Sequence, residues 1–224
     1  MNSNLRFSIV TPSFNQGAYL EEALLSVSNQ KPTPFEHLVM DGGSQDSSLD
    51  ILQRHSPGRE GHLRWRSASD RGQSHALNEG FLRATGDIVG WLISDDRYRP
   101  GCFEAVSRAF REYPEADIIY GDYTWIDERG RLLRIRREIE FSYFVLLYHR
   151  VLYIPTTATF FPGVTLAMTA AWCPVPITSD SVSKDGISAS STSVRSGKRV
   201  PSANGIRTPS ACAPATSVVP KNPP

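Results

Sequence analysis

The sequence lacks several features that would assign the chain to a large functional class. Its 224 residues carry a formal net charge of +1, so no global field attracts nucleic acid or an anionic membrane. The first residues contain no apolar run of the kind that a secretory signal needs. The most apolar late segment, residues 141–155, contains His149 and Arg150 and is too short to span a bilayer. These absences predict a cytoplasmic protein without a nucleic acid partner, and at most peripheral contact with the inner face of a membrane.

Cysteine is scarce as well. The three cysteines, Cys102, Cys173 and Cys212, do not have the spacing of a metal site or of a disulfide framework. A chain of this kind suits a reducing compartment.

Glutamate, phenylalanine and tyrosine are missing from residues 162–224. This segment holds six basic residues, two acidic residues and only one of the 22 aromatic residues of the chain. It is rich in Ser, Ala, Pro and Thr, and it cannot bury enough apolar surface to offset the chain entropy lost on folding. The composition therefore predicts a folded domain over residues 1–161 and a low-complexity, disordered tail over residues 162–224.

Short apolar runs alternate with helical periodicities along residues 1–161. Such an alternation is typical of an α/β fold with a doubly wound, mostly parallel sheet. A turn-rich segment near residue 128 also predicts a hairpin between residues 123–126 and 132–138. The predicted strands before it are residues 7–10, 37–40, 63–66, 88–93 and 118–120.

Four aspartates follow these predicted strands. Asp41 follows the second strand, Asp70 the third, and Asp95 and Asp96 the fourth. The carboxyl ends of parallel strands meet at one edge of a sheet, where ligands bind in open α/β folds. A single aspartate at such a place is more often a turn former or a helix cap. Four of them at successive strand ends are harder to explain in that way, and they predict a shared ligand.

The adjacent pair Asp95 and Asp96 is the most informative part of this pattern. Two neighbouring carboxylates repel each other unless a cation or a row of donors compensates their charge. Pro100 suits the first position of the next helix, which leaves Arg99, and neither aspartate, as the helix cap. A hard divalent cation with oxygen ligands, together with a phosphate-bearing substrate, fits the pair.

Six segments, in this order and spacing, resemble the motifs of family 2 glycosyltransferases, which are inverting enzymes with a GT-A fold. The resemblance implies the GT-A fold of nucleotide-diphospho-sugar transferases, a nucleotide-sugar donor (UDP-, dTDP- or GDP-linked) and a saccharide or lipid-linked acceptor. The segments are SIVTPSFN (8–15), DGGSQD (41–46), DRGQSHALNEG (70–80), ATGD (84–87), SDD (94–96) and IPTTATFF (154–161).

The resemblance implies roles at the nucleotide end of the site. Thr11, Pro12 and Asn15 would line the nucleotide pocket. Asp41 would hydrogen-bond the base, which in this family is usually uracil or a related pyrimidine.

The resemblance also implies roles at the sugar and phosphate end. Asp70 would lie beside the base and ribose or the donor sugar, with Gln73 in the same nucleotide-sugar site. Asp95 would face the ribose, and Asp96 would hold Mn²⁺ or Mg²⁺ on the diphosphate. This assignment agrees with elementary electrostatics, because carboxylates repel a diphosphate unless a metal ion bridges them.

The resemblance ends at Phe161. The family places its catalytic base in a later acidic stretch with aromatic neighbours, and Asp180 and Asp185 have no such neighbours. We therefore expect the acceptor half to be incomplete and leave the catalytic base unassigned. We hypothesise that the tail arises from a frameshift or a truncated gene, with a natural disordered tail as the competing explanation. If no other reading frame beyond codon 162 continues the fold, the frameshift hypothesis fails.

Two alternatives to an active glycosyltransferase stay open. One is a non-catalytic remnant that binds nucleotide sugars without transferring them. The other is a metal-dependent nucleotidyltransferase, which would more naturally have a basic, glycine-rich phosphate loop near the N-terminus. Residues 11–17 contain neither Lys nor Arg, which counts against the second alternative.

Overall fold

Strands and helices alternate through the part of the chain that the computed structural model describes. The described residues are 5–32, 36–56, 62–139, 141–142, 144–145, 148, 154–163 and 215–218. The strands are β1 (Phe7–Ser13), β2 (Glu36–Asp41), β3 (Leu63–Ser67), β4 (Ile88–Trp91), β5 (Ile119–Tyr120), β6 (Tyr123–Ile126), β7 (Leu132–Arg136), β8 (Thr159–Pro162) and β9 (Ala215–Val218). The helices are α1 (Leu20–Ser28), α2 (Ser48–His55), α3 (Gln73–Phe81) and α4 (Cys102–Glu112).

The main sheet has six strands in the order β3-β2-β1-β4-β8-β5. The first four of these strands run parallel. Strand β8 is antiparallel to both of its neighbours, β4 and β5. The predicted α/β fold with a doubly wound, mostly parallel sheet is therefore confirmed.

A second, three-stranded sheet has the order β7-β6-β9. Strands β6 and β7 form the hairpin that the sequence predicts, with Tyr123 opposite Arg136. Strand β9 comes from the predicted tail and pairs in parallel with β6. The other residues after Gly163 lie outside the described residues, so the disorder of the tail stays a prediction.

Helices cover both faces of the main sheet, and alternate residues of β1 point to each side. On one face Phe7 stacks on Phe103 of α4, with ring centroids 4.4 Å apart, and meets Phe160 of β8 edge-on. On the other face Val10 packs with Met40 and with Ala76 of α3. Burial of each large apolar side chain contributes roughly 1.5–3 kcal/mol, so this layered packing holds the strand ends in fixed register.

The start of α4 differs from the prediction. The helix begins at Cys102, and Gly101, with φ = 83°, occupies the capping position. The prediction that Pro100 takes the first helical position with Arg99 as the cap is therefore wrong. A left-handed glycine separates Pro100 from the helix, and only glycine adopts that conformation without strain. Neither Asp95 nor Asp96 caps the helix, as the sequence predicts.

Among the described residues, no helix combines the length and the apolar character needed to cross a bilayer.

Candidate functional site

The carboxyl ends of β1, β2, β3 and β4 lie at one edge of the main sheet, because these strands run parallel. Asp41 ends β2, Asp70 follows β3, and Asp95 and Asp96 follow β4. We call this region the acid-rich edge and define it by these four aspartates. The other predicted site residues lie in β1, in the loop after it, or at the start of α3; they are Thr11, Pro12, Asn15 and Gln73.

Asp41 anchors the loop that follows β2. Its Oδ2 atom accepts hydrogen bonds from the backbone N–H groups of Gly43 and Ser44, at 3.0 and 2.9 Å, and from the Ser67 hydroxyl, at 2.6 Å. Its Oδ1 atom accepts a hydrogen bond of 2.5 Å from the Ser44 hydroxyl. The side chain is buried, so the carboxylate joins the end of β3 to the loop after β2.

Asn15 joins the loop after β1 to the loop after β2. Its backbone has φ = 53°, a left-handed conformation that asparagine tolerates better than most residues. Its N–H group donates to the Ser44 hydroxyl at 2.8 Å, and its Oδ1 atom accepts from the Gln45 N–H at 2.9 Å. The Gly17 N–H donates to Asp46 at 2.8 Å. The two loops are therefore held together before any ligand binds.

The loops after β1, β2 and β3 together form what we call the loop cluster. Phe14, Gly42 and Asp70, one from each loop, meet at its centre. A Cβ atom added to Gly42 would lie 3.1 Å from Asp70 Oδ2 and 3.2 Å from the Phe14 ring. Asp70 Oδ1 accepts a hydrogen bond from the Gly72 N–H at 2.7 Å. The Phe14 ring is 59% exposed. The sequence motifs assign no role to Phe14, although a large aromatic residue within a polar loop is a signal of one.

A small cavity opens beside Asp41 and Asp70. Its volume is about 40 Å³, and Arg66, His75 and Glu79 also line it. That volume has room for about one water molecule, so a nucleotide would lie over this cavity rather than inside it. The His75 Nδ1 atom is buried and has no hydrogen-bond partner among the described residues.

Asp95 and Asp96 have different surroundings although they are adjacent. Asp95 is half-buried, and burial raises the pKa of its carboxyl group. Within the described residues, no other side chain hydrogen-bonds to it. Asp96 is buried, and its Oδ2 atom accepts a hydrogen bond from the Thr157 hydroxyl.

The described residues contain no group of three or more His, Cys, Asp or Glu side chains that could hold a metal ion. A cation bound entirely by these protein groups is therefore not supported. The pair Asp95 and Asp96 does fit a hard cation that takes its remaining oxygen ligands from a substrate and from water. Such a cation would also relieve the electrostatic cost of the half-buried Asp95 carboxylate.

The structure brings together only some of the predicted site residues. Asn15, Asp41 and Asp70 share the loop cluster beside β1. The Thr11 side chain is fully buried, and its hydroxyl group lies 2.8 Å from His37 Nε2. Burial lowers the pKa of His37 to about 3, so its imidazole is uncharged at neutral pH.

The two remaining predicted residues of this set differ in exposure. Pro12 is buried, whereas Gln73 at the start of α3 is exposed. Gln73 is therefore accessible to a ligand, whereas the Pro12 side chain is shielded from solvent.

Arg97 connects the loop after β4 to two other elements. Its guanidinium group forms an ion pair of 2.7 Å with Glu22 of α1. A Cβ atom on Gly130, in the turn of the β6–β7 hairpin, would lie 2.9 Å from the same guanidinium group. The turn of the hairpin therefore lies against the Arg97 side chain of the loop after β4. No signal in the sequence indicated this contact.

Comparisons with known proteins agree with this architecture. The model of the family described as Glycosyl transferase family 2 matches residues 8–171. The O-antigen biosynthesis protein RfbC of Myxococcus xanthus is 36% identical over 125 residues, which are 55% of this chain and 10% of that protein. A PGL/p-HBAD biosynthesis glycosyltransferase of Mycobacterium bovis is 34% identical over 117 residues, which are 52% of this chain and 46% of that protein. The match therefore spans less than half the length of these relatives.

Solved structures support the same fold. The crystal structure of S. aureus TarS 1-349 in complex with UDP-GlcNAc superposes with a TM-score of 0.58 at 22% sequence identity. The superposition covers 74% of this chain and 47% of that one. The same protein in complex with UDP gives a TM-score of 0.53. These likenesses confirm the predicted GT-A fold, and with the match of the family model over most of the sequence, the chain belongs to glycosyl transferase family 2.

Proposed function

We propose that this chain is the donor-binding part of an inverting glycosyltransferase. It binds a nucleoside diphosphate sugar, with Mn²⁺ or Mg²⁺, at the acid-rich edge, for transfer of the sugar to a hydroxyl group of a saccharide or lipid-linked acceptor. The observation that carries the proposal is the position of four aspartates from three strand ends along one edge of the sheet. The family match supports the reaction class, and a structural neighbour was crystallised with UDP-GlcNAc.

The nucleoside would occupy the loop cluster beside β1. The exposed Phe14 ring offers a face on which a base can stack, and such stacking contributes about 1–3 kcal/mol per base. Asp70 Oδ2 lies beside this ring across Gly42, within reach of the base, the ribose or the donor sugar. Asp41 and Asn15 fix the loops that shape this end of the site. A base that hydrogen-bonds to Asp41 would contact a carboxylate oxygen that already accepts a hydrogen bond within the loop cluster.

The diphosphate would lie next to the pair Asp95 and Asp96. Asp95 would face the ribose, and Asp96 would hold the cation. When bound, the cation neutralises the diphosphate and stabilises the charge that develops on the leaving phosphate. Gln73, exposed at the first position of α3, would complete the nucleotide-sugar site.

Transfer also requires a general base that takes the proton from the acceptor hydroxyl. In our proposal all four aspartates of the acid-rich edge serve the donor, so none of them is that base. No other residue of this chain is assigned to that role in our proposal, and binding without transfer is therefore the second candidate function. Sugar-nucleotide hydrolysis or transfer by the purified chain, absent in an Asp96→Ala control, would refute that candidate.

Isothermal titration with UDP, in MnCl₂ and in EDTA, tests the donor site. We expect UDP to bind in Mn²⁺ and to bind much more weakly in EDTA, because the carboxylates then repel the diphosphate. Asp96→Ala should give the same weak binding in both buffers. Asp50→Ala removes an exposed carboxylate on α2 and should behave as the wild type.

Two results would contradict the proposal. If the folded wild-type chain, checked by circular dichroism, does not bind UDP in Mn²⁺, the donor site is wrong. If Asp96→Ala keeps a full dependence on Mn²⁺, the site exists but Asp96 is not its metal ligand.

A further inference from the structure

Thr157 contacts Asp96 across a long interval of sequence. Its hydroxyl group donates a hydrogen bond to Asp96 Oδ2, although the two residues are 61 positions apart. Thr157 is 4% exposed and Asp96 is 5% exposed. A hydroxyl group has one proton to donate, so this contact involves one of the two oxygens of the carboxylate.

The backbone around Thr157 is held in place by the main sheet. The Ala158 carbonyl accepts a hydrogen bond of 3.0 Å from the Gly121 N–H. Thr159 begins β8 and pairs with Tyr120 of β5. The Thr159 hydroxyl donates to the Pro155 carbonyl. Thr157 therefore presents its hydroxyl group from a fixed turn, and Asp96 cannot rotate without breaking this hydrogen bond.

A carboxylate that binds a metal ion is usually oriented by hydrogen bonds from neighbouring residues, and loss of one such bond typically lowers metal affinity about 10–100-fold. Hydrogen bonds to a charged acceptor are also stronger than those between neutral groups. The Thr157 contact has this form, because a buried hydroxyl group holds one oxygen of a buried carboxylate at the end of β4.

We propose that Thr157 is a positioning residue that orients Asp96 for a divalent cation. The inference rests on the proposed function, which makes Asp96 the metal ligand. It adds that the segment before β8 sets the geometry of the donor site. A displacement of this segment would then change cation affinity directly.

The test compares two buried threonines that are two positions apart. Thr157→Val removes the hydroxyl group that contacts Asp96 and keeps the side-chain shape. Thr159→Val removes a similarly buried hydroxyl group whose only hydrogen bond within the described residues is to a backbone carbonyl. The full-length chain is titrated with Mn²⁺ at saturating UDP, and free Mn²⁺ is measured by electron paramagnetic resonance. Thermal unfolding without metal reports stability in parallel.

We expect Thr157→Val to weaken Mn²⁺ binding about 10–100-fold and Thr159→Val to leave it unchanged, although both lose thermal stability. Thr157→Ser keeps a hydroxyl group and should restore Mn²⁺ affinity to near the wild-type value, whereas a purely packing role would not be rescued in this way. If Thr157→Val does not fold, Thr157→Ala and Thr157→Ser form the comparison, and only the serine variant should bind Mn²⁺ normally.

The outcomes separate this inference from the proposed function. If the two valine variants bind Mn²⁺ equally well while the wild type shows Mn²⁺-dependent UDP binding, only the positioning role of Thr157 is overturned. If the folded wild type shows no Mn²⁺-dependent UDP binding, the donor site is overturned and the inference falls with it.

Discussion

The buried imidazole of His37 should lower the stability of the fold in mild acid. His37 lies in β2, is 4% exposed, and contacts the Thr11 hydroxyl at 2.8 Å. Burial lowers its pKa from 6.5 to about 3 in the folded chain. Between these two values the unfolded state binds one more proton than the folded state. The free energy of unfolding therefore falls as the pH drops below 6.5.

The size of the effect follows from the two pKa values. Each pH unit within this window costs about 1.4 kcal/mol of stability for one proton, so at about pH 5 the loss due to His37 is about 2 kcal/mol. A domain of this kind has a total stability of about 5–15 kcal/mol. The loss is thus a large fraction of the total and well within the range of a denaturation experiment.

Urea denaturation of the wild type and of His37→Gln between about pH 7 and pH 5 measures this loss. Carboxylates that titrate in acid are common to both proteins, so the difference between them isolates His37. The variant should be less stable at neutral pH, and its disadvantage should shrink by about 2 kcal/mol at the acidic end. His62→Gln, which removes an exposed imidazole, controls for the loss of one histidine. Parallel stability curves for the wild type and His37→Gln would refute the reasoning.

Two further substitutions test the packing and the base end of the site. Gly80→Ala would place a Cβ atom 2.2 Å from Val10 Cγ1. We expect the overpacking to lower the free energy of unfolding by about 1–3 kcal/mol, despite a gain of about 1 kcal/mol in helix propensity. A variant that is more stable than the wild type in urea denaturation would contradict this. Phe14→Ala should lower UDP affinity by about 1–3 kcal/mol with little change in melting temperature, because the ring is 59% exposed. Leu82→Ala is the control, because it removes another exposed apolar side chain, directly after the last residue of α3. An equal loss of UDP affinity in that variant would contradict base stacking on Phe14.

The strand predictions succeeded where local pattern was enough and failed at element ends. Strand β1 is predicted over residues 7–10 but extends to Ser13, because it pairs with β2 as far as Asp41. Helix α3 begins at Gln73, directly after Gly72 with φ = 99°, whereas its apolar periodicity becomes visible only from Leu77. Pairing partners and left-handed glycines set these boundaries, and neither appears in hydrophobic periodicity.

The sequence is sufficient to identify the aspartates of the candidate site, but it does not identify the groups that hydrogen-bond to them. Asp41 and Asp70 could be identified from their positions after strands, yet the four hydrogen bonds that hold Asp41 come from loop geometry. The burial of the Thr11 side chain against His37 depends on the register between β1 and β2. The exposure of Phe14 depends on the path of the chain after β1.

The sequence alone determined the α/β class, the family and the set of acids at the strand ends, because periodicity and motif order are local properties of the chain. The tertiary structure decided which partner each acid has. Asp96 is held by Thr157, and Arg97 connects α1 to the β6–β7 hairpin. These contacts join residues that are far apart in sequence, so they exist only once the sheet order and the packing of β8 beside β4 are established.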